Sequence, residues 1–120
     1  MEPSDLHASV ERAFNAGDVE ALMDLYEEEA CMVRDDGSVA AGLPAIHEVW
    51  AGFVALGGQI TMTTQYAVEL DDIALLSNTW TFTGAGMTFS SGTAEVARRQ
   101  ADGTWRYVID NPFGGARADA

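Results

Sequence analysis

The chain has 120 residues, 48% hydrophobic and 21% charged, the size and balance of one globular domain with a core of its own, which argues against disorder. Its formal net charge of −13, from nineteen acidic residues against six arginines and no lysine, leaves no basic stripe for nucleic acid and disfavours anionic membranes. No apolar stretch approaches the roughly 20 residues of a membrane helix, and the polar start Met1-Glu2-Pro3-Ser4-Asp5 lacks the regions of a secretory signal, which predicts a cytoplasmic protein.

Ser4 can cap a first helix, in which Leu6, Val10, Ala13 and Phe14 recur at helical spacing and which ends at Gly17. Asp18 caps a second, with Ala21, Leu22, Leu25 and Tyr26 on its buried face and Glu27-Glu28-Glu29 toward solvent. A short strand from Cys31 to Arg34 follows, and Cys31, the only cysteine, reads as a small buried hydrophobe. Asp35-Asp36-Gly37 has turn chemistry and returns the brief strand Val39-Ala40-Ala41. Leu43-Pro44 opens a third helix. Its Ile46, Val49, Trp50 and Phe53 share one face, and Gly57-Gly58 stops it.

Everything afterwards reads as strand. Ile60 to Leu70 alternates apolar and polar residues, Asp71-Asp72 turns, and Ile73 to Thr83 is rich in β-formers. Gly84-Ala85-Gly86 turns into a long strand from Met87 to Gln100, in which Ser90-Ser91-Gly92 reads as a bulge that bends the sheet. Ala101-Asp102-Gly103 is a hairpin signal before the closing run Trp105 to Gly114. Residues 1–5 and 115–120 are expected to fray, and no repeat or linker divides the chain. The order describes an α+β fold: three N-terminal helices packed in the concave face of a curved, mostly antiparallel sheet, a single cone-shaped domain over residues 1–120 that encloses a pocket.

Three segments carry a resemblance. Phe14-Asn15-Ala16-Gly17-Asp18-Val19-Glu20-Ala21-Leu22, Gly42-Leu43-Pro44-Ala45-Ile46 and the run Trp105 to Gly114 resemble the nuclear transport factor two-like superfamily, in its SnoaL-like and ketosteroid isomerase-like branch. The resemblance covers nearly the whole chain and implies a cystatin-like cone. That superfamily holds isomerases, cyclases, hydrolases, dehydratases and interaction domains, so the fold alone selects no activity. Carried over from the ketosteroid isomerases, the oxyanion tyrosine falls on Val10, the base on Arg34 with Asp35 one residue away, and the oxyanion aspartate on Val96. An oxyanion hole needs preorganised donors, so Val10 and Val96 argue against that mechanism.

The register implied by the resemblance turns Tyr107, Ile109, Asn111 and Phe113 inward, with Met32 and Arg34 from the first strand, and Trp50 and Tyr26 along the same cavity. Each aromatic has the alternative of merely filling the core. Arg34 is either inward and paired, because an unpaired buried charge is costly, or outward and decorative. Asp35 is either a base or a turn residue. Arg34, Arg98, Asp110 and Asn111 also resemble the carboxylate and arginine set of epoxide-type hydrolases, yet strand neighbours face opposite ways, so Asp110 and Asn111 cannot both point inward. The candidate catalytic residues are Arg34, Asp35 and Asp110, and the candidate ligand contacts are Tyr26, Met32, Trp50, Tyr107, Ile109, Asn111 and Phe113.

His47 lies off the apolar face of its helix and reads as solvated, and His7 on the first helix is a weaker candidate still. With one cysteine and no paired histidine motif, neither metal nor cofactor is expected. On the strand carrying Trp80 and Phe82, the resemblance favours Thr79, Thr81 and Thr83 inward and Trp80 on an outer face that pairs two copies, which predicts a homodimer. The expected function is a pocket for a small, mostly apolar molecule of polyketide-like or aromatic character, with isomerase, cyclase or hydrolase chemistry; the alternative is a non-catalytic ligand-binding or dimeric scaffold domain.

Overall fold

The computed structural model describes residues 1–115. Helix α1 runs Asp5–Asn15 and buries Leu6, His7, Val10, Ala13 and Phe14. Ser4 makes no side-chain cap; Asp5 Oδ2 instead accepts from the Glu2 N–H at 2.9 Å, and Pro3 is fully buried. At the other end the Gly115 N–H donates to the Gly92 carbonyl, and residues 116–120 of the segment expected to fray lie outside the described residues.

Asp18 caps α2 (Val19–Met23) through the Ala21 N–H at 3.0 Å. The helix is shorter than its sequence suggests. Tyr26 and the three glutamates open strand β1 (Tyr26–Val33) because tertiary pairing overrides helix propensity there: Tyr26 pairs with Tyr107, and Arg98 and Gln100 both donate to Glu27. The Asp35-Asp36-Gly37 turn leads into β2 (Val39–Ala41), with Asp36 Oδ1 accepting the Ser38 N–H at 2.8 Å. Helix α3 (Leu43–Val54) has its proline in the first turn and buries Ile46 and Trp50.

Five further strands complete a seven-stranded sheet. Strand β3 (Gln59–Leu70) pairs antiparallel with β4 (Ile73–Gly84) around the Asp71-Asp72 turn. The expected long third strand is broken at Thr93 into β5 (Met87–Gly92) and β6 (Ala94–Arg99), which pair with the two halves of β4 in turn. That corner is fastened from β4: the Thr93 N–H donates to the Asn78 carbonyl, Thr93 Oγ1 accepts the Asn78 N–H, and Ser77 Oγ donates to the Thr93 carbonyl. Strand β7 (Trp105–Asn111) closes the sheet in the order β2-β1-β7-β6-β4-β3, antiparallel throughout except between β1 and β7. No helix among the described residues is long and apolar enough to cross a membrane.

Two side-chain directions differ from the register implied by the resemblance. On β4, Trp80 and Phe82 are buried in the core while Thr79 and Thr83 are exposed, because the inward parity is set by Ala74, Leu76 and Asn78 on the same strand. Phe82 stacks on Phe53 at 4.9 Å, and Gly58 lies so close to Phe82 that a Cβ there would meet its ring at 2.4 Å. On β7, Ala97 pairs with Tyr107 but Val96 with Ile109, which leaves Val108 as an extra residue in a bulge. Beyond it the alternation reverses: Tyr107 and Asp110 face in, and Ile109 faces out.

The outward residues form a row. Cross-strand neighbours Val68, Leu75, Val96, Ile109, Cys31 and Ala41 run over six strands of the convex face, with Val68 58%, Leu75 44% and Ile109 43% exposed. Cys31, expected in the core, is half-buried on this outer face.

Candidate functional site

Between the concave sheet face and α3 lies a cavity of about 470 Å³, within the range of small-molecule sites. Trp50 and Phe53 from α3, Met62 from β3, Trp80 from β4 and Phe89 from β5 supply apolar walls, and Glu95 and Asp110 supply acid. The two carboxyl residues are directly opposed across β6 and β7. Such neighbours hold their Cβ atoms about 5 Å apart, close enough for each charge to penalise the other.

Asp110 is 5% exposed. Its Oδ2 accepts the Tyr26 hydroxyl at 2.5 Å, and that hydroxyl accepts the Trp50 indole N–H at 3.0 Å. Burial, and then the neighbouring Glu95 charge, push its pKa up from 3.8 to about 7, against a smaller lowering by the Tyr26 bond. Asp110 therefore holds its proton far above the pH at which an exposed carboxyl ionises. Burial, followed by the acids (Asp110 for Tyr26, Glu95 and Asp110 for Tyr107), also holds both tyrosine hydroxyls well above their ordinary value, so both stay neutral donors.

Glu95 is tied on the side of α1. His7 Nε2 lies 2.8 Å from its Oε1, Asn78 Nδ2 donates to its Oε2 at 3.1 Å, and His7 Nδ1 lies 2.7 Å from Thr64 Oγ1. His7, Asn78 and Glu95 are all buried.

Of the residues singled out from the sequence, Met32, Trp50, Tyr107, Asp110 and Phe113 line the cavity, and Tyr26 stands behind Asp110. Arg34 and Asp35 line its rim. Asp35 is exposed, and Arg34 is half-buried with its guanidinium donating to Ser38 Oγ at 3.1 Å rather than to an acid. Ile109 does not line the cavity, because the Val108 bulge turns it to the outer face. Asn111 does not line it either; its Oδ1 accepts the Phe113 N–H at 3.2 Å in a local turn.

Sequence reasoning missed Glu95, His7 and Asn78. Val96, where the resemblance puts the oxyanion aspartate, is the strand neighbour of Glu95 and faces the outer side of the sheet, while Glu95 opposes Asp110 on the inner side. For His7 the signal was present, since it stands three residues before Val10 and seven before Phe14 on one helix face. Among the described residues, no group of three or more His, Cys, Asp or Glu side chains is placed to hold a metal ion.

A family model for the SnoaL-like domain matches residues 6–111, and the chain belongs to that family. Among solved structures, it is similar to a nuclear transport factor 2-like protein of unknown function from Shewanella oneidensis, with a TM-score of 0.78 and 18% identity over 89% of this chain and 92% of that one. It is likewise similar to a ketosteroid isomerase-like protein from Erwinia carotovora atroseptica, with a TM-score of 0.73 and 18% identity over 91% and 90% of the two chains. A cystatin-like domain of unknown function from Nostoc punctiforme gives a TM-score of 0.80 at 16% identity, covering 96% of this chain and 76% of that one. At these identities the likeness shows the fold alone. No curated protein sequence matches the chain.

Proposed function

We propose that this SnoaL-like domain takes a small, neutral, mostly apolar molecule into its pocket and moves a proton on it, as an isomerase or cyclase does, with Asp110 as acid and Glu95 as base. The observation that carries this reading is the opposed Glu95 and Asp110 pair on the wall of an apolar cavity. A protonated Asp110 donates a hydrogen bond to a carbonyl oxygen and stabilises the charge that develops there. A charged Glu95 beside it accepts the proton of an adjacent C–H. Arg34 and Asp35 at the rim then meet the ligand's outer end rather than its reacting atoms. The negative site and the net charge of −13 both select against anions.

The test uses 2-tetralone, a neutral aryl ketone of suitable size, in heavy water, with α-proton exchange followed by NMR. Exchange above the buffer rate that falls at least tenfold in both Asp110→Asn and Glu95→Gln supports proton transfer. Saturable binding without exchange supports the binding-only alternative, and no binding of 2-tetralone or of a neutral dye such as Nile red refutes the pocket reading.

The outer row favours a second element of the reading, a homodimer formed sheet to sheet. Its contacts are Val68, Leu75, Val96 and Ile109 rather than Trp80. Light scattering at micromolar concentration should give a dimer that Leu75→Glu converts to monomer; a monomeric wild type overturns it.

A further inference from the structure

Two carboxyls that share a site leave open which of them carries the proton, unless their surroundings differ. Here they differ in kind. Asp110 has one oxygen bonded to the Tyr26 hydroxyl, and no other hydrogen-bond partner is found for its side chain among the described residues. Glu95 has both oxygens engaged from the α1 and β4 side, one by His7 and one by Asn78. We propose that His7 and Asn78 are positioning residues that hold Glu95 as the charged member of the pair and leave the proton on Asp110, so that the pocket meets its ligand with acid and base already assigned. The proposal rests on the proton-transfer reading above.

The hydrogen-bond directions carry the argument. Thr64 sits at His7 Nδ1, where its hydroxyl donates to a ring protonated on Nε2 alone or accepts from a ring that carries a proton on Nδ1. With its proton on Nε2, or with both nitrogens protonated, His7 donates to Glu95 Oε1. The only ring state that would instead accept from a protonated Glu95 carries its proton on Nδ1 alone, and it would then donate to Thr64. Asn78 points the same way. Its Nδ2 is turned to Glu95, while its buried Oδ1 finds no partner among the described residues. A buried acceptor left unpaired is costly, and a charge-assisted bond to a carboxylate is the kind strong enough to offset it. A carboxylate accepting from two buried donors favours its charged form.

The other groups facing the pair do not reverse this assignment. Tyr26 from β1 and Tyr107 on β7 are held neutral, α3 contributes the Trp50 indole N–H through Tyr26, and the rim charges Arg34 and Asp35 lie at the β1–β2 turn. Thr64 on β3 is exposed, so the His7 end of the chain of bonds reaches solvent without passing through the pocket.

The experiment labels Asp and Glu carboxyl carbons with ¹³C and histidine with ¹⁵N, and follows Asp110, Glu95 and His7 by NMR across pH in the intact chain. In the wild type, Glu95 should show the charged carboxylate shift at pH 7 with a proton on His7 Nε2. Finding Glu95 neutral there, or His7 protonated on Nδ1 alone, overturns the proposal without recourse to any variant. In His7→Leu, the Asp110 midpoint should fall by about one unit or more while the proton appears on Glu95. His7→Gln, which keeps an N–H for Glu95, should restore the wild-type pattern, and Asn78→Leu should act in the same direction as His7→Leu. An Asp110 midpoint unmoved in both leucine variants sinks the assignment alone. A wild-type Asp110 that titrates in the ordinary carboxylate range sinks the proton-transfer reading instead, so the two failures are distinct.

Discussion

Replacing Asp110 by asparagine removes one titration from the folded state and should change how stability depends on pH. The native carboxyl holds its proton up to about 7, whereas the unfolded chain releases it near 3.8. Between those values the unfolded state binds fewer protons than the native one, so the contribution of this group is full below 3.8 and is lost as pH rises through about 7. The shift of about 3 units corresponds to about 4 kcal/mol at about 1.4 kcal/mol per unit, of which about 3 kcal/mol falls between pH 4.5 and pH 8. Asparagine still accepts the Tyr26 hydroxyl through its Oδ1, and any fixed cost of the substitution cancels when two pH values are compared. Urea unfolding of wild type and Asp110→Asn at pH 4.5 and pH 8 should therefore show the stability gap moving by about 3 kcal/mol in favour of the variant at the higher pH, a relative midpoint shift of about 1–3 M urea. A gap that moves by less than about 0.5 kcal/mol refutes the raised pKa of the buried Asp110 on which the site rests.

Other substitutions probe the surroundings. Tyr26→Phe removes the hydroxyl that links Trp50 to Asp110, so the Asp110 midpoint should rise above its value of about 7, with a stability loss of about 1–3 kcal/mol from the orphaned indole N–H; an unmoved midpoint by carboxyl NMR contradicts the bond. Gly58→Ala drives a methyl to 2.4 Å from the Phe82 ring and should cost about 1–3 kcal/mol in thermal or urea unfolding, and a neutral outcome would mean that the ring is free to shift. A neutral apolar probe deepens the burial of Asp110, so the affinity for Nile red should fall severalfold from pH 6 to pH 8.5 in the wild type and stay level in Asp110→Asn, as fluorescence titration would show.

Helix spacing and turn chemistry were legible because they depend on neighbours in sequence. Leu6, Val10, Ala13 and Phe14 on α1, the Asp18 cap, the proline-led start of α3 and the Asp71-Asp72 turn all lie where local pattern places them. Side-chain direction in the sheet was less legible, because period-two alternation survives only until the first extra residue. Val108 is that residue on β7, and it turns Ile109 out and Asp110 in. The start of β1 was hidden for a related reason: Tyr26 and the glutamates suit a helix locally, and only their pairing with β7 and Arg98 makes them strand. Trp80 was misdirected by analogy, since the alternation of bulky and hydroxyl residues on β4 fits either face until Leu76 and Asn78 show which one is inside.

The bulge also explains why the acid pair and the outer row occupy the same stretch of sheet. Val96 opposes Ile109 on the convex side, and Glu95 opposes Asp110 one residue along on the concave side. The aliphatic pair therefore backs the carboxyl pair through a single layer of strand. A second copy seated on the outer row would remove water from behind these two strands while the ligand removes it from in front. Both events deepen the burial that already dominates the raised pKa of Asp110. Restoring strict alternation on β7, by contrast, would turn the carboxyl of residue 110 toward the apolar row and an isoleucine toward Glu95, a choice that costs both surfaces at once. The extra residue is thus a requirement of having an acid on one face and an aliphatic row on the other within one short strand.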